Sequence, residues 1–153
     1  MSLKQDLELV GLRKFYGKTE AIKGINLKIA SGEYCCLLGP SGCGKTSLLR
    51  MIAGHEDISD GDILLGNTRL NYLTPANRGT SMMFQSYALF PHLSVIDNVA
   101  FALKIKGVSK AERYETARSF IDMVRMQDFS MWLPDQLSGG QKQRVALARA
   151  LIT

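Results

Sequence analysis

Residues Leu37 to Gly54 read LLGPSGCGKTSLLRMIAG, an apolar run that breaks into glycines, then Lys-Thr-Ser, then helical spacing. The segment Gly39 to Thr46, GPSGCGKT, fits G-x-x-x-x-G-K-[ST] at every fixed position. No other feature of the chain restricts the fold as much, because the loop needs a strand before it and a helix after it. Its residue types explain the chemistry. Phosphate groups crowd negative charge into a small space and need many donors close by. Glycines let backbone N–H groups turn inward with no Cβ in the way. A helix starting near Gly44 aims its positive end at the anion. Lys45 adds a charge that reaches the outer phosphates of a nucleotide, and the Thr46 hydroxyl can ligate Mg²⁺.

The rest of the chain supplies that context. LELVGL reads as a short strand. GINLKIASGEYCCLLG alternates at Ile25, Leu27 and Ile29, turns at Ser31-Gly32, and is expected to continue as a strand from Tyr34 to Leu38. GDILLGNTRL predicts a hairpin with Gly66-Asn67 at its turn. Lys45 to Ala53 predicts a helix, and Gly54 stops it. GTSMMFQ reads as a strand. SVIDNVAFALKIKG and SKAERYETARSFIDMVRM predict two helices broken near Gly107, and a last helix begins at about Gly139. This order suggests an α/β core with a β-rich entry and a helical insert.

The bulk numbers exclude several classes. At 153 residues the chain can bury roughly 70% of its unfolded surface, enough for a real core. The net charge of +5 comes from scattered Lys and Arg and reads as a solvated surface, with no nucleic-acid partner indicated. Cys35, Cys36 and Cys43 form no CxxC pair, which points to a reducing compartment. MSLKQDLELV lacks the apolar core of a signal peptide, and no apolar run reaches the ~20 residues of a membrane span. Any service to a membrane would therefore run through a partner.

A second motif lies near the end, in DQLSGGQKQRVALARALI from Asp135. Ser138 is a good N-cap, and Gly139 and Gly140 leave the next N–H groups open, which makes a second anion-binding helix end. LSGGQ followed by QRVALARAL resembles the signature motif of the ATP-binding subunits of ABC transporters. The resemblance runs from about Leu7 to Ile152 and makes the phosphate loop a Walker A. It implies a P-loop NTPase fold of ABC type, with an antiparallel β subdomain and a helical subdomain at about residues 94–135. It implies that ATP is held by Tyr16, Gly39, Pro40, Ser41, Gly42, Cys43, Gly44, Lys45, Thr46 and Ser47. Tyr16, otherwise an ordinary strand-edge aromatic, becomes the ring that stacks on adenine. Gln85 becomes the Q-loop glutamine, whose amide can reach Mg²⁺, a ligand it would share with Thr46, or the attacking water, and sense the γ-phosphate. Ser138, Gly139, Gly140 and Gln141 would cover the γ-phosphate of ATP bound to a second subunit, in a head-to-tail dimer. The segment around Pro91, with Tyr87, Leu89, Phe90 and Leu93, would help receive transmembrane permease subunits at the cytoplasmic face of the membrane, with a solute-binding protein acting indirectly.

AGHEDISDGDILLG and RGTSMMFQSYALFPHLSVIDNVAF look most like importers of the spermidine/putrescine, ferric-iron and sulfate type, and the leaning is towards polyamines. In the family an apolar strand ending in Asp-Glu (the Walker B), a D-loop and a switch histidine follow the signature helix. No residue here matches the catalytic glutamate, and His55 and His92 precede the signature, so neither matches the switch histidine. The chain therefore reads as an N-terminal piece incomplete at its C-terminus, with YCCLL expected to be an apolar open edge and Val145, Leu147 and Leu151 expected to lose packing. The rivals are another P-loop enzyme, such as a kinase or a DNA-repair ATPase, and a non-catalytic nucleotide-binding module or inactive fragment. A kinase has no need of LSGGQ. A repair ATPase would carry a long coiled coil, whereas only about fifty residues separate Gln85 from Leu137. Because Cys43 lies inside the loop, a thiol reagent is expected to block nucleotide binding and Mg-ATP to protect that cysteine. Mass-spectrometric labelling with and without Mg-ATP checks this, and equal labelling contradicts it.

Overall fold

The computed structural model describes residues 5–153. Two compact units make up the chain, one ending at Thr80 and the other spanning Ser81–Thr153.

In the first unit, β1 (Leu7–Tyr16) and β2 (Thr19–Ile29) form an antiparallel hairpin. The alternation expected at Ile25, Leu27 and Ile29 is present, with these side chains half-buried and Asn26 and Lys28 exposed between them. The helix α1 (Lys45–Ala53) follows the glycine-rich loop. Next, β3 (Asp60–Leu65) pairs with the other edge of β1, and β4 (Thr68–Arg69) returns across the expected Gly66-Asn67 turn, so the order is β2-β1-β3-β4. Leu9, Leu12, Ile22 and Ile63 from the strands meet Leu48 and Met51 of α1 in one core. Each such side chain stabilises the fold by about 1.5–3 kcal/mol on burial. Leu9 and Leu12 are three positions apart, so a regular strand would point them to opposite faces. A register shift between them, at Gly11 with φ 56°, turns both inward. The Gly11 N–H is donated to Asn26 Oδ1 at 2.7 Å.

The second unit is helical. It contains α2 (Val95–Ile105), α3 (Lys110–Met123) and α4 (Gly139–Leu151), with the break at Gly107 where the sequence places it. Ser94 and Ser109 cap α2 and α3 by accepting the N–H groups of Asp97 and Glu112. The core comprises Val95, Val99, Ala117, Ile121, Met126, Leu137, Val145, Ala148 and their neighbours. Val145 thus stays well packed on α4, contrary to expectation, while Leu147 and Leu151 are exposed.

Two expected strands are not strands. Tyr34 to Leu38 takes no part in the sheet, and Tyr34 and Leu38 are 96% and 89% exposed. GTSMMFQ, 79–85, also lies outside the sheet. A hairpin strand finds its partner one turn away. A run such as YCCLL, apolar on both faces, becomes a strand only between parallel neighbours supplied from far along the chain. Among the described residues none supplies them, so this run is irregular exposed chain and not an open strand edge.

One polar cluster fastens α2 to α3. Tyr114 donates to Asp97 Oδ1, and the Ser94 hydroxyl donates to Asp97 Oδ2 at 2.7 Å. Burial alone would push the Asp97 carboxyl up. The bonds from Tyr114 and Ser94, with Lys110 and Arg113 nearby, hold it below its ordinary range. A carboxyl depressed on folding adds stability above its unfolded pKa of ~3.9, and that contribution is lost as pH falls through the lower folded value. Asp97→Asn is therefore expected to lower the thermal midpoint at pH 7 clearly more than at pH 2–3. Equal shifts at both pH values would contradict the pairing.

Candidate functional site

The glycine-rich loop is built around a helix start with no side chain to close it. Gly42 and Gly44 stand at φ 80° and 92°, a conformation natural to glycine. Gly44 is the N-cap of α1 and makes no side-chain cap, so the first-turn N–H groups of Lys45, Thr46 and Ser47 face an external acceptor. The first intrahelical donor is the Leu48 N–H, to Gly44 O at 2.8 Å. A Cβ on Gly44 would lie 3.3 Å from Ile22 Cγ1, so the helix start rests against β2 about as closely as a glycine permits. Lys45 Nζ turns back onto the loop. It donates to the carbonyls of Gly39 and Pro40, both at 2.7 Å, and to Cys43 Sγ at 3.3 Å. To reach a phosphate, the ammonium exchanges these acceptors for charged ones. Cys43 is exposed.

Tyr16, at the end of β1, reaches the same place. Its hydroxyl lies 3.0 Å from Ser47 Oγ and also donates to Glu56 Oε1. Lys14 pairs with Glu56 at 3.3 Å, and its Nζ stands 5.1 Å from the centre of the Tyr16 ring. Tyr16, Ala21, Ser41, Gly42, Gly44, Lys45, Thr46 and Ser47 line one open cleft of about 520 Å³. An aromatic residue nearly thirty positions upstream is thereby brought to the rim of the phosphate loop.

The second helix end is arranged differently. Ser138 Oγ accepts the Gln141 N–H at 3.3 Å, and Gln141 Oε1 accepts the Ser138 N–H at 2.7 Å, a reciprocal capping box. Gln141, expected to contact nucleotide, commits its side-chain oxygen to the helix. A Cβ on Gly139 or Gly140 would meet nothing within 4 Å, so no neighbour in the described chain requires glycine at either position. Glycine there costs the helix roughly 1 kcal/mol per residue relative to alanine. Gln85 is exposed at the start of a turn in this second unit, and His55 and His92 are both exposed.

Three residues essential to this architecture escaped the sequence reading. Arg78 is 6% exposed and closes the far end of α1. Its Nη1 donates to Met51 O at 2.6 Å and Ile52 O at 3.1 Å, and its Nε donates to Leu73 O at 2.9 Å. Burial pulls this guanidinium below its ordinary range, and Asp57 opposes the shift. A Cβ on Gly54, which stands at φ 81°, would lie 2.6 Å from Arg78 Nε. Asn98 is wholly buried and fastens the loop before α2, accepting from Phe90 N–H and donating to the carbonyls of Phe90, Leu93 and Ser94. Arg149, on α4, binds the carbonyls of Tyr87 and Ala88. Burial lowers its pKa. Of the three, only Arg149, in LARAL, stands out locally as a charged residue amid apolar ones.

With this geometry in view, the comparisons with known proteins are direct. The ABC transporter family profile matches residues 22–153. An sn-glycerol-3-phosphate import ATP-binding protein of Agrobacterium fabrum is 49% identical over 146 residues, which cover 95% of this chain and 39% of that protein. A lactose transport ATP-binding protein of Rhizobium radiobacter is 47% identical, covering 96% and 40%. A maltose/maltodextrin import ATP-binding protein of Photorhabdus laumondii is 47% identical, covering 94% and 39%. A dimeric ATP-binding cassette solved in a post-hydrolysis state with ADP and Pi superimposes with a TM-score of 0.85 at 34% identity, over 95% of this chain and 69% of that one. This chain belongs to the ABC transporter family, and its fold is that of the ABC ATPase cassette. It spans about 40% of the length of these curated relatives.

Removing Arg78 takes a charged donor away from the Met51, Ile52 and Leu73 carbonyls, and a hydrogen bond to a charged group is worth about 1.5–3 kcal/mol. Arg78→Ala is expected to cost about 2–4 kcal/mol in urea unfolding. Gly54→Ala, which pushes against the same guanidinium, is expected to cost about 1–3 kcal/mol. An Arg78→Ala variant as stable as the wild type would show that the grip on α1 is incidental.

Proposed function

We propose that the chain binds Mg-ATP as the phosphate-loop and signature part of an importer ATPase, and that the whole protein hydrolyses ATP to drive solute import through a membrane partner. The observation that carries this reading is the shared cleft of Tyr16 and the phosphate loop. One end of it offers an aromatic face and the other offers unpaired N–H groups with a lysine, the two chemistries that a nucleotide presents.

The roles follow from the chemistry. The N–H groups from Ser41 to Ser47 and the Lys45 ammonium hold the β- and γ-phosphates, and Tyr16 stacks on the base. The Thr46 hydroxyl and the neutral amide of Gln85 are hard oxygen donors suited to Mg²⁺. Among the described residues no three His, Cys, Asp or Glu side chains cluster as a metal site. Mg²⁺ is usually held by one or two side chains plus substrate phosphates and water. Bound there, Mg²⁺ would supply charge neutralisation between the outer phosphates.

Ser138, Gly139 and Gly140 serve the nucleotide of a second subunit. Their two N–H groups and the serine O–H form an open anion-binding end, and the glycines leave room for a close approach. Gln141 supports this end by holding its capping box. The Q-loop segment and the helical subdomain at about residues 94–135 receive permease subunits at the cytoplasmic face. Among the described residues no helix is long and apolar enough to cross a membrane. The polyamine leaning finds no support in the named relatives, which serve sn-glycerol-3-phosphate, lactose and maltose. A sugar or sugar-like solute is the better reading.

Titration with a fluorescent ATP analogue in the presence of Mg²⁺ tests the cleft. Lys45→Ala is expected to weaken binding at least about tenfold, as the loss of a charge-assisted contact implies. Tyr16→Ala is expected to weaken it about five- to tenfold or more, and Tyr16→Phe to leave it close to wild type, because stacking needs the ring and not the hydroxyl. Unchanged affinity in both alanine variants would remove the cleft as the nucleotide site.

A further inference from the structure

The turn just after Gln85 is held in a conformation that its own residues disfavour. Tyr87 and Ala88 stand at φ 61° and 47°, two consecutive residues with side chains in the left-handed region. There the Cβ crowds the following carbonyl, and ordinary residues visit singly if at all. Neither is glycine, so contacts from outside the turn must supply the difference. Arg149, in the last turn of α4, donates from Nη1 to Ala88 O at 2.7 Å and from Nη2 to Tyr87 O at 3.0 Å. Its guanidinium carbon lies 5.7 Å from the centre of the Phe90 ring. A planar fork on two successive carbonyls orients both peptide planes at once, which a point charge cannot do. Asn98 on α2 grips the next part of the segment, accepting the Phe90 N–H at 2.8 Å and donating to Phe90 O at 3.1 Å.

We propose that Arg149 is a positioning residue: its guanidinium fork holds the strained Tyr87-Ala88 turn and so sets how Gln85 is presented. The fork sits on the same helix whose first turn carries Ser138 and Gly140. From Gly139 to Arg149 an α-helix rises about 15 Å and behaves as a stiff rod, so a displacement at the signature end is carried to the turn. The task given to Gln85 rests on the nucleotide reading above. The clamp does not.

Residue-resolved hydrogen exchange on the nucleotide-free 153-residue chain tests the clamp alone. The reporters are the Tyr87 N–H, donated to Phe84 O at 2.9 Å, and the Phe90 N–H, donated to Asn98. In Arg149→Ala both are expected to exchange about tenfold faster or more, with α3 amides unchanged. Arg149→Lys, which keeps the charge and loses the fork, is expected to follow Arg149→Ala. Ala88 is exposed, and glycine accepts its backbone conformation, so in an Ala88→Gly background Arg149→Ala is expected to accelerate exchange by only about threefold or less. If Arg149→Ala does not fold, recovery of folding in the Ala88→Gly double variant supports the clamp, and failure to recover overturns it. Wild-type behaviour of Arg149→Lys, an equal effect of Arg149→Ala in both backgrounds, or a uniform rise across Ser81–Thr153 would overturn it too, leaving Arg149 as packing. Adding Mg-ATP then separates the two ideas. A chain with an intact clamp and no nucleotide effect at residues 85–90 would overturn the task given to Gln85 and leave the clamp standing.

Discussion

Every helix ends with several N–H groups at one terminus and several C=O groups at the other that have no intrahelical partner. In α1 these two sets meet opposite fates. At the start, Gly44 offers no cap and the loop leaves the donors bare. At the end, the Gly54 and His55 N–H groups return to Met51 and Arg50, and the Arg78 guanidinium takes the Met51 and Ile52 carbonyls. Sealing one end lets the helix lie against the sheet, with Leu48 and Met51 in the core, and keeps the other end open to an anion. A helix frayed at both ends would hold neither the loop nor the core in place. The buried arginine therefore belongs to the arrangement of the glycine-rich loop as much as Lys45 does.

The two glycine-bearing helix starts are built differently. The start of α1 is a cradle: several donors converge, a lysine stands over them, β2 lies close behind, and the φ of 92° at position 44 favours glycine. The start of α4 is an open end, with one N–H taken by Ser138, the serine held by Gln141, and two glycines where an added Cβ would meet nothing within 4 Å. A cradle suits a ligand held within one chain. An open end suits a ligand carried to it by another body. The contrast between a crowded glycine and two uncrowded ones, read from one chain, is what distinguishes them.

What could be read from the sequence followed the range of the interactions involved. The bounds of α1, the Gly66-Asn67 turn, the break at Gly107 and the Ser138 cap are decided within a few residues, and the sequence displays them. The Gln141 half of the capping box is equally local, S-x-x-Q, and was open to the same reading. Tyr34 to Leu38 and 79–85 were misread as strands because β-pairing is decided by partners elsewhere, and alternation or apolarity states only a readiness to pair. Arg78, Asn98 and Arg149 were invisible for a related reason. Each satisfies carbonyls or amides whose need arises only once the chain has folded: the end of a helix for Arg78, the loop before α2 for Asn98, a left-handed turn for Arg149. Of the site itself, the phosphate loop was legible from its own residues, whereas Tyr16 needed the family resemblance to stand out from other strand-end aromatics.

The exposed run from Tyr34 to Leu38 has a consequence for how such a chain behaves in a test tube. It is apolar, uncharged and free of proline, and its backbone takes no part in the sheet. Segments of that description recruit copies of themselves into intermolecular sheets, at a rate that rises steeply with concentration. The adjacent exposed thiols of Cys35 and Cys36 can then lock a transient encounter into a covalent one under air. Dilution and a reductant therefore act on the same encounter, and two neighbouring exposed thiols make the onset of self-association chemically traceable.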